Sequence, residues 1–189
     1  MPDLPSASGA VLEKYRRYLA FLARMNVDPR LNAKVDLSGI VQQTLLEAHQ
    51  DVGRWKSLPS DEQMAFLRRI LAHNIQDEVR KAKAGKRDVH REQSLEQAFE
   101  NSSLRLMNWV AVDASSPSMK MNKAERALQL AAALERLPVA QRDALVLQHR
   151  EGRSLADIAV HMQRTPAAVA GLLKRGLRQL REELSNSAD

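Results

Sequence analysis

The fold that we predict for this chain is built around residues 154–184, SLADIAVHMQRTPAAVAGLLKRGLRQLREEL, which contain two helix start signals. Ser154 stands three residues before Asp157, which is the spacing of a capping box at the start of a helix. Thr165 and Pro166 mark a second helix start soon afterwards, because threonine caps helix N-termini and proline is favoured at the first helical position. Two helices joined by a short turn are therefore predicted, as in a helix-turn-helix.

Both predicted helices are amphipathic, since their apolar residues recur every three or four positions. These residues are Leu155, Ile158, Ala159 and Met162 in the first helix, and Val169, Leu172, Leu173, Gly176, Leu177, Leu180 and Leu184 in the second. The turn is expected around Gln163 and Arg164. The polar side of the second helix is cationic, because residues 164–181 contain five Lys or Arg and no Asp or Glu. Such a helix is suited to contact with DNA phosphates.

Small residues at the exposed start of the second helix favour the DNA-binding interpretation. Ala167, Ala168, Ala170 and Gly171 let the helix approach base edges or phosphates closely, which bulky side chains would prevent. Paired short helices and basic helix surfaces also occur in all-α proteins that bind no DNA. The motif therefore predicts DNA binding without excluding a purely structural pair of helices.

The composition indicates an all-α protein without a metal or cofactor site. Seven Gly, seven Pro and 4% aromatic residues argue against a β-sandwich or barrel, and long runs are rich in Leu, Ala, Arg and Glu. The chain has no cysteine and its five histidines show no close ligand spacing, so we expect no metal and no cofactor. No Gly-rich phosphate loop or Ser/His/Asp grouping stands out, so the protein is not predicted to be an enzyme.

The positive charge is concentrated in two places. The whole chain has a net charge of +6. Residues 68–91 hold eight Lys or Arg against three acids, and residues 164–181 hold five against none, so each stretch has a net charge of +5. Two separate contacts with a polyanion are expected. No apolar run approaches a membrane span and the N-terminus lacks signal-peptide features, so we expect no membrane association and a cytoplasmic location.

The helical pattern predicts two small domains joined by a linker. Residues 10–91 contain three predicted helices and form the first domain, and residues 123–185 form a four-helix domain that ends with the helix-turn-helix. Residues 92–122 have weak periodicity and a Ser-rich end, which is typical of a linker. Trp109 in this segment is expected to dock against one of the domains.

Three stretches, in this order, resemble the extracytoplasmic-function (ECF) type of bacterial sigma factor, a two-domain specificity subunit of RNA polymerase. VDLSGIVQQTLLEAHQDVGRW (35–55) resembles the family's helix that binds the polymerase clamp, and AFLRRILAHNIQDEVRKAKAGKRD (65–88) resembles the helix that binds the minus-ten element of the promoter. LERLPVAQRDALVLQHREGRSLADIA (134–159), continued by the helix-turn-helix, resembles the minus-35-binding domain.

The resemblance implies three sets of contact residues. For polymerase binding they are Gln42, Gln43 and Leu46. For the minus-ten element they are Arg69, His73, Asn74, Arg80, Lys81 and Lys83, with either His73 or Asn74 as the base reader. For the minus-35 element they are Arg164, Thr165, Ala167, Ala168, Gly171, Lys174, Arg175 and Arg178. The loop from Ser57 to Glu62 is implied as the pocket for an unstacked base.

By this resemblance, the chain is expected to direct core RNA polymerase to specific promoters and to aid promoter melting. Its expected partners are the clamp helices and flap of core polymerase and promoter DNA, and an anti-sigma factor could restrain it. The alternative is a helix-turn-helix regulator that binds duplex DNA on its own, while its N-terminal half binds a ligand or dimerises. A helical adaptor that binds only proteins ranks behind both, because it leaves the two cationic stretches unexplained.

Overall fold

The structure, a computed structural model, describes residues 11–27, 35–83, 95, 97–102, 123–151 and 153–186. All regular secondary structure in these residues is helical. The chain divides into two compact units, Met1–Asn101 and Ser102–Asp189. The predicted all-α class, with a helix-turn-helix in the C-terminal unit, is confirmed. The predicted boundaries at 10–91, 92–122 and 123–185 stay predictions.

The first unit contains four helices that have assigned bounds. They are α1 (Arg16–Asn26), α2 (Leu37–Gln50), α3 (Val52–Ser57) and α4 (Ser60–Lys83). Asp36 caps the start of α2, because its side chain accepts hydrogen bonds from the backbone N–H groups of Ser38 and Gly39, both at 3.0 Å. The core forms where α1, α2 and α4 pack on one another, and α2 and α4 share the most extensive contact. Leu19, Leu67 and Leu71 are fully buried there.

The short helix α3 contributes a core residue that the sequence analysis missed. Trp55 is 0% exposed, and its ring meets that of Tyr15 edge to face, with the centroids 5.5 Å apart. A helix of six residues is too short to show a periodic pattern. Phe99, in the segment predicted as a linker, is also fully buried, and residues 97–102 are helical. Trp109 lies outside the described residues.

The second unit contains the four helices that the sequence predicts. They are α5 (Lys123–Arg136), α6 (Val139–Glu151), α7 (Leu155–His161) and α8 (Pro166–Asn186). Helix α8 is central, because it packs against each of the other three. Gly176 permits its close approach to α6, since a Cβ at this position would lie 3.1 Å from Cδ1 of Leu145 and 3.3 Å from Cβ of Gln141.

The predicted capping box of α7 is present. The backbone N–H of Asp157 donates to Ser154 Oγ at 3.2 Å, and the Asp157 carboxylate accepts from the backbone N–H of Ser154 at 3.2 Å and from its hydroxyl at 2.6 Å. These hydrogen bonds from Ser154 hold the pKa of Asp157 below its ordinary value of 3.8. Within the apolar stripe predicted for α7, Ile158 and Ala159 are buried, whereas Leu155 is 39% exposed.

We predict that Ser154→Ala loosens the first turn of α7, by an amount that depends on pH. A carboxyl whose pKa is lowered on folding contributes stability above its unfolded pKa, and this contribution is lost as the pH falls through the folded pKa. The variant should therefore exchange its Asp157 amide proton faster than wild type at neutral pH. The difference should shrink below the ordinary pKa of aspartate. Amide hydrogen exchange at neutral and at acidic pH measures the difference between variant and wild type. A difference that grows on acidification would contradict this account.

Candidate nucleic-acid interface

The turn and the start of α8 form as predicted. The Arg164 N–H donates to the carbonyl of Ala159 at 2.9 Å, and Gln163 has φ of 53°, in the left-handed region that ends many helices. Thr165 caps α8, because its Oγ1 accepts from the backbone N–H of Ala168 at 3.2 Å. Pro166 occupies the first helical position. The helix-turn-helix is therefore fixed by local hydrogen bonds at both helix starts.

The residues predicted to contact the minus-35 element all reach the surface of α8 or of the turn. Six of them are exposed: Arg164, Thr165, Ala167, Lys174, Arg175 and Arg178. Ala168 and Gly171 are half-buried. The opposite side of α8 buries Val169, Leu172 and Leu180. This exposure is what the prediction needs, although contact with DNA stays a prediction.

Arg175 lies over the small-residue face of α8. A Cβ on Gly171 would lie 3.2 Å from Nη1 of Arg175 and 3.5 Å from its Nη2, so the guanidinium group rests against bare backbone. Helical side chains lean toward the N-terminus, which is why Arg175 covers the turn four residues before it. An arginine in this position can contact either a phosphate or a guanine edge.

The cations of α8 differ in their partners. Arg178 lies 3.8 Å from Glu182, with both side chains largely exposed. In the part of the chain that the structure describes, no carboxylate pairs with Lys174 or Arg175. These two charges are therefore available to an external anion.

A groove of about 600 Å³ opens beside the turn. Its walls are formed by Ala156, Ala159, Val160, Gln163, Arg164, Thr165, Pro166 and Ala168. Val160 is 81% exposed, which is unusual for a large apolar side chain. Val160 was not among the predicted contact residues, although its position outside the apolar stripe of α7 was a signal of exposure. Arg164 and Thr165, two of the predicted DNA contacts, line the groove.

The cations predicted to bind the minus-ten element lie on α4, where several pair with acids of the same helix. Arg80 pairs with Asp77, and Lys81 Nζ lies 2.6 Å from Glu78 Oε1. His73 Nε2 lies 3.4 Å from the other oxygen of Asp77. Arg69 is exposed. The side chain of Lys83 lies outside the described residues.

Asn74, one of the two predicted base readers, is placed in the core rather than on the surface. Its side chain is 9% exposed, and Nδ2 donates to Thr44 Oγ1 on α2 at 3.2 Å. His73, the adjacent residue, is half-exposed. Successive helical residues point about 100° apart, so packing of α4 on α2 turns Asn74 inward and His73 outward. In this conformation, only His73 of the two can reach a base.

The residues predicted to bind polymerase face outward on α2. Gln42 and Gln43 are exposed, and Leu46 is 51% exposed. Gln43 Nε2 donates to Glu47 Oε1 at 2.7 Å, which orders its amide along the helix surface. They lie beside Val41 and Leu45, which are buried on the opposite side of α2. Polymerase binding itself stays a prediction.

Hydrogen bonds around Gln63 hold the loop that joins α3 to α4. Tyr15 donates its hydroxyl hydrogen to Gln63 Oε1 at 3.1 Å, and burial raises the pKa of Tyr15, which keeps the hydroxyl protonated. Gln63 Nε2 donates to the Leu58 carbonyl at 2.9 Å, and Trp55 Nε1 donates to the Gln63 carbonyl at 3.3 Å. This loop is the predicted base pocket, and its shape depends on Gln63 and Trp55, which were not among the predicted site residues.

Comparison with known families identifies the second unit. The family described as Sigma-70, region 4 matches residues 127–180, which run from within α5 through α6 and α7 to Leu180 in α8 and so include most of the helix-turn-helix. The chain contains a sigma-70 region 4 domain. Region 4 domains take part in recognition of the promoter minus-35 element and in RNA polymerase binding. No curated protein is significantly similar to the chain. Among the described residues, no helix is both long enough and apolar enough to cross a membrane.

We predict that Gly171→Ala weakens DNA binding through Arg175. The new methyl group would displace the guanidinium group, while alanine favours the helix by up to about 1 kcal/mol relative to glycine. Region 4 should therefore stay folded, and binding to a minus-35 duplex in complex with core polymerase should fall by about 1.5 kcal/mol, the size of one hydrogen bond to a charged group.

The control for this prediction is Arg175→Ala with and without Gly171→Ala. If Gly171 acts through Arg175, the glycine substitution should have no further effect once the arginine is absent. An equal loss of binding in both backgrounds would show that the two residues act separately.

Proposed function

We propose that this chain is a sigma factor of the ECF type, which directs core RNA polymerase to specific promoters and aids promoter melting. The observation that carries the proposal is the region 4 domain, whose α8 presents a cationic face beside small residues. A sigma factor holds DNA and polymerase while the polymerase makes the bonds, so no residue is given a catalytic role. The chain would act in the cytoplasm, where both partners are found.

The N-terminal unit supplies the remaining contacts in this proposal. Residues 10–91 would form a region 2-like domain, in which Gln42, Gln43 and Leu46 meet the polymerase clamp helices. Residues 123–185 would bind the minus-35 element and the flap. The cationic side of α4 would hold the melted minus-ten strand by its phosphates, as cationic grooves hold other single strands. His73 would read a base, and Asn74 would serve the core of the domain instead.

Core polymerase provides the test of this proposal. The full chain should be recovered with core polymerase in a pull-down, and the mixture should start run-off transcription at promoters that core polymerase alone ignores. A helix-turn-helix regulator would instead bind a specific duplex tightly without polymerase. Specific duplex binding by the chain alone, with no capture of core polymerase, would overturn the proposal in favour of that regulator.

We predict that Gln42→Ala, Gln43→Ala and Leu46→Ala together weaken core binding without unfolding the first unit. The three side chains are exposed, and substitutions of exposed residues usually change the free energy of unfolding by less than about 0.5 kcal/mol. Loss of an exposed leucine from a contact surface should cost binding at least about 1 kcal/mol. Gln50→Ala, an exposed position at the end of α2, is the control, and it should bind core polymerase as wild type does.

We predict that Lys174→Ala and His73→Ala change promoter binding in different ways. Lys174 has a flexible cationic end, so its loss should reduce the salt dependence of promoter binding by about 0.9 in the slope of log K against log salt, on every minus-35 sequence alike. His73 carries both a donor and an acceptor. Its loss should change the preference for minus-ten bases by roughly 1 to 3 kcal/mol, by analogy with direct readout in duplex DNA.

A promoter library measured at two salt concentrations separates these two effects. Arg136→Ala is the matched control for Lys174→Ala, because both variants remove one positive charge. Arg136 lies on α5 and pairs at 2.7 Å with Glu183, near the C-terminal end of α8, so its loss should not affect a phosphate contact. Altered minus-35 preference from Lys174→Ala, together with uniform weakening from His73→Ala, would reverse the two roles.

A further inference from the structure

The interface between α2 and α4 contains one polar contact inside an apolar surface. Besides its aromatic residues, the described part of the chain buries two side chains that carry polar atoms, Thr44 and Asn74. These two bond to each other: Asn74 Nδ2 donates to Thr44 Oγ1 at 3.2 Å. Thr44 Oγ1 in turn donates to the Ile40 carbonyl at 2.8 Å. The hydroxyl is therefore both donor and acceptor, and its geometry is fixed from both sides.

Hydrogen bonds of Gln63 hold the start of α4, whereas the apolar residues around the Thr44–Asn74 contact do not by themselves distinguish one register of α4 on α2 from the next. Leu67, Leu71 and Ile75 follow one another at intervals of four, so a slip of one helical turn would place one apolar side chain where another had been. The same slip would bring Asn74 opposite Ile40 or Ala48, where no side chain can accept its hydrogen bond. A buried polar group without a partner is costly, which is how single polar contacts select one register between helices.

The surfaces proposed to bind polymerase and DNA lie next to this contact. Gln43 directly precedes Thr44 on α2, and His73 directly precedes Asn74 on α4. A slip of one turn would move His73 by about 5.4 Å relative to Gln43. That distance is large compared with the tolerance of a base contact, since misplacement by about 1 Å can be costly to function.

We propose that the Thr44–Asn74 hydrogen bond sets the register of α4 on α2 and so positions the minus-ten reading face relative to the polymerase-binding face. Thr44 and Asn74 are positioning residues that touch neither partner. This inference rests on the proposed sigma-factor function for its consequence in transcription. The register itself is a property of the free chain and can be measured without polymerase.

The test compares an apolar pair with the native polar pair. Thr44→Val with Asn74→Leu removes both polar groups and keeps the volume of the interface similar, so the chain should keep or exceed its wild-type melting temperature. Its affinity for core polymerase should be unchanged. The rate of promoter opening should fall by about tenfold, because the minus-ten face is no longer held in one place. Thr44→Ser, which keeps the hydroxyl group, is the matched control and should behave as wild type.

The register is measured separately with spin labels. The chain has no cysteine, so labels can be attached at Gln50→Cys on α2 and Glu62→Cys on α4 without competing sites. Wild type and Thr44→Ser should give one narrow distance distribution. The double variant should give a second population displaced by about one turn, 5.4 Å. If the double variant fails to fold, Asn74→Leu alone removes the donor, leaves the Thr44 hydroxyl bonded to the Ile40 carbonyl and gives the same comparison.

The outcomes separate the inference from the proposed function. A single unchanged distance in the apolar variant would overturn the inference, as would promoter opening at the wild-type rate. Equal losses of melting temperature, core binding and opening would also overturn it, because the contact would then only hold the fold together. If the distance splits as expected but the wild-type chain never directs core polymerase, the register assignment stands and the proposed function fails.

Discussion

The surface that is proposed to contact DNA depends on where α8 begins, at the Thr165 cap. A helix repeats every 3.6 residues, so the residue that begins it decides which later side chains face the core. With Thr165 as the cap, Val169 and Leu172 turn inward and Lys174 turns outward. The chain reaches this cap through Gln163, whose left-handed backbone costs a residue with a Cβ about 1 to 2 kcal/mol. Burial of the apolar side chains of α7 and α8 offsets this cost.

The two cationic surfaces differ in how their charge is balanced within the protein. On α4, Arg80 and Lys81 have carboxylate partners on the same helix, Asp77 and Glu78. The Lys81–Glu78 pair is exposed, and exposed pairs contribute only about 0.2 to 1 kcal/mol, so a phosphate can take the place of the Glu78 carboxylate at modest cost. Lys174 has no carboxylate partner among the described residues, so a phosphate that binds it displaces no side chain. If both surfaces bind DNA as proposed, the first encounter with duplex should rely more on α8, and α4 should engage a strand that is already held nearby.

Sequence patterns predicted the features that depend on neighbouring residues. The helix starts at Ser154 and Thr165 were predictable because each cap bonds to a backbone group three residues away. The position of Asn74 was not, because its partner Thr44 lies thirty residues earlier and only the packing of two helices brings them together. His73 and Asn74 are adjacent, so the sequence alone left open which of them faces solvent. The spacing of Gly171 and Arg175 by four was visible in the sequence, and it could have indicated their contact.

The small side chains on the exposed face of α8 leave room for new contacts. Ala167 and Ala170 are exposed and take no part in the buried side of the helix. A glutamine or arginine at either position would preserve helix propensity and add a group that can read an adenine or guanine edge. If α8 contacts the minus-35 element as proposed, promoter preference can be changed by adding side chains, without repacking the domain. The exposed face of α8 would then be a favourable starting point for engineering sigma factors that act on separate sets of promoters.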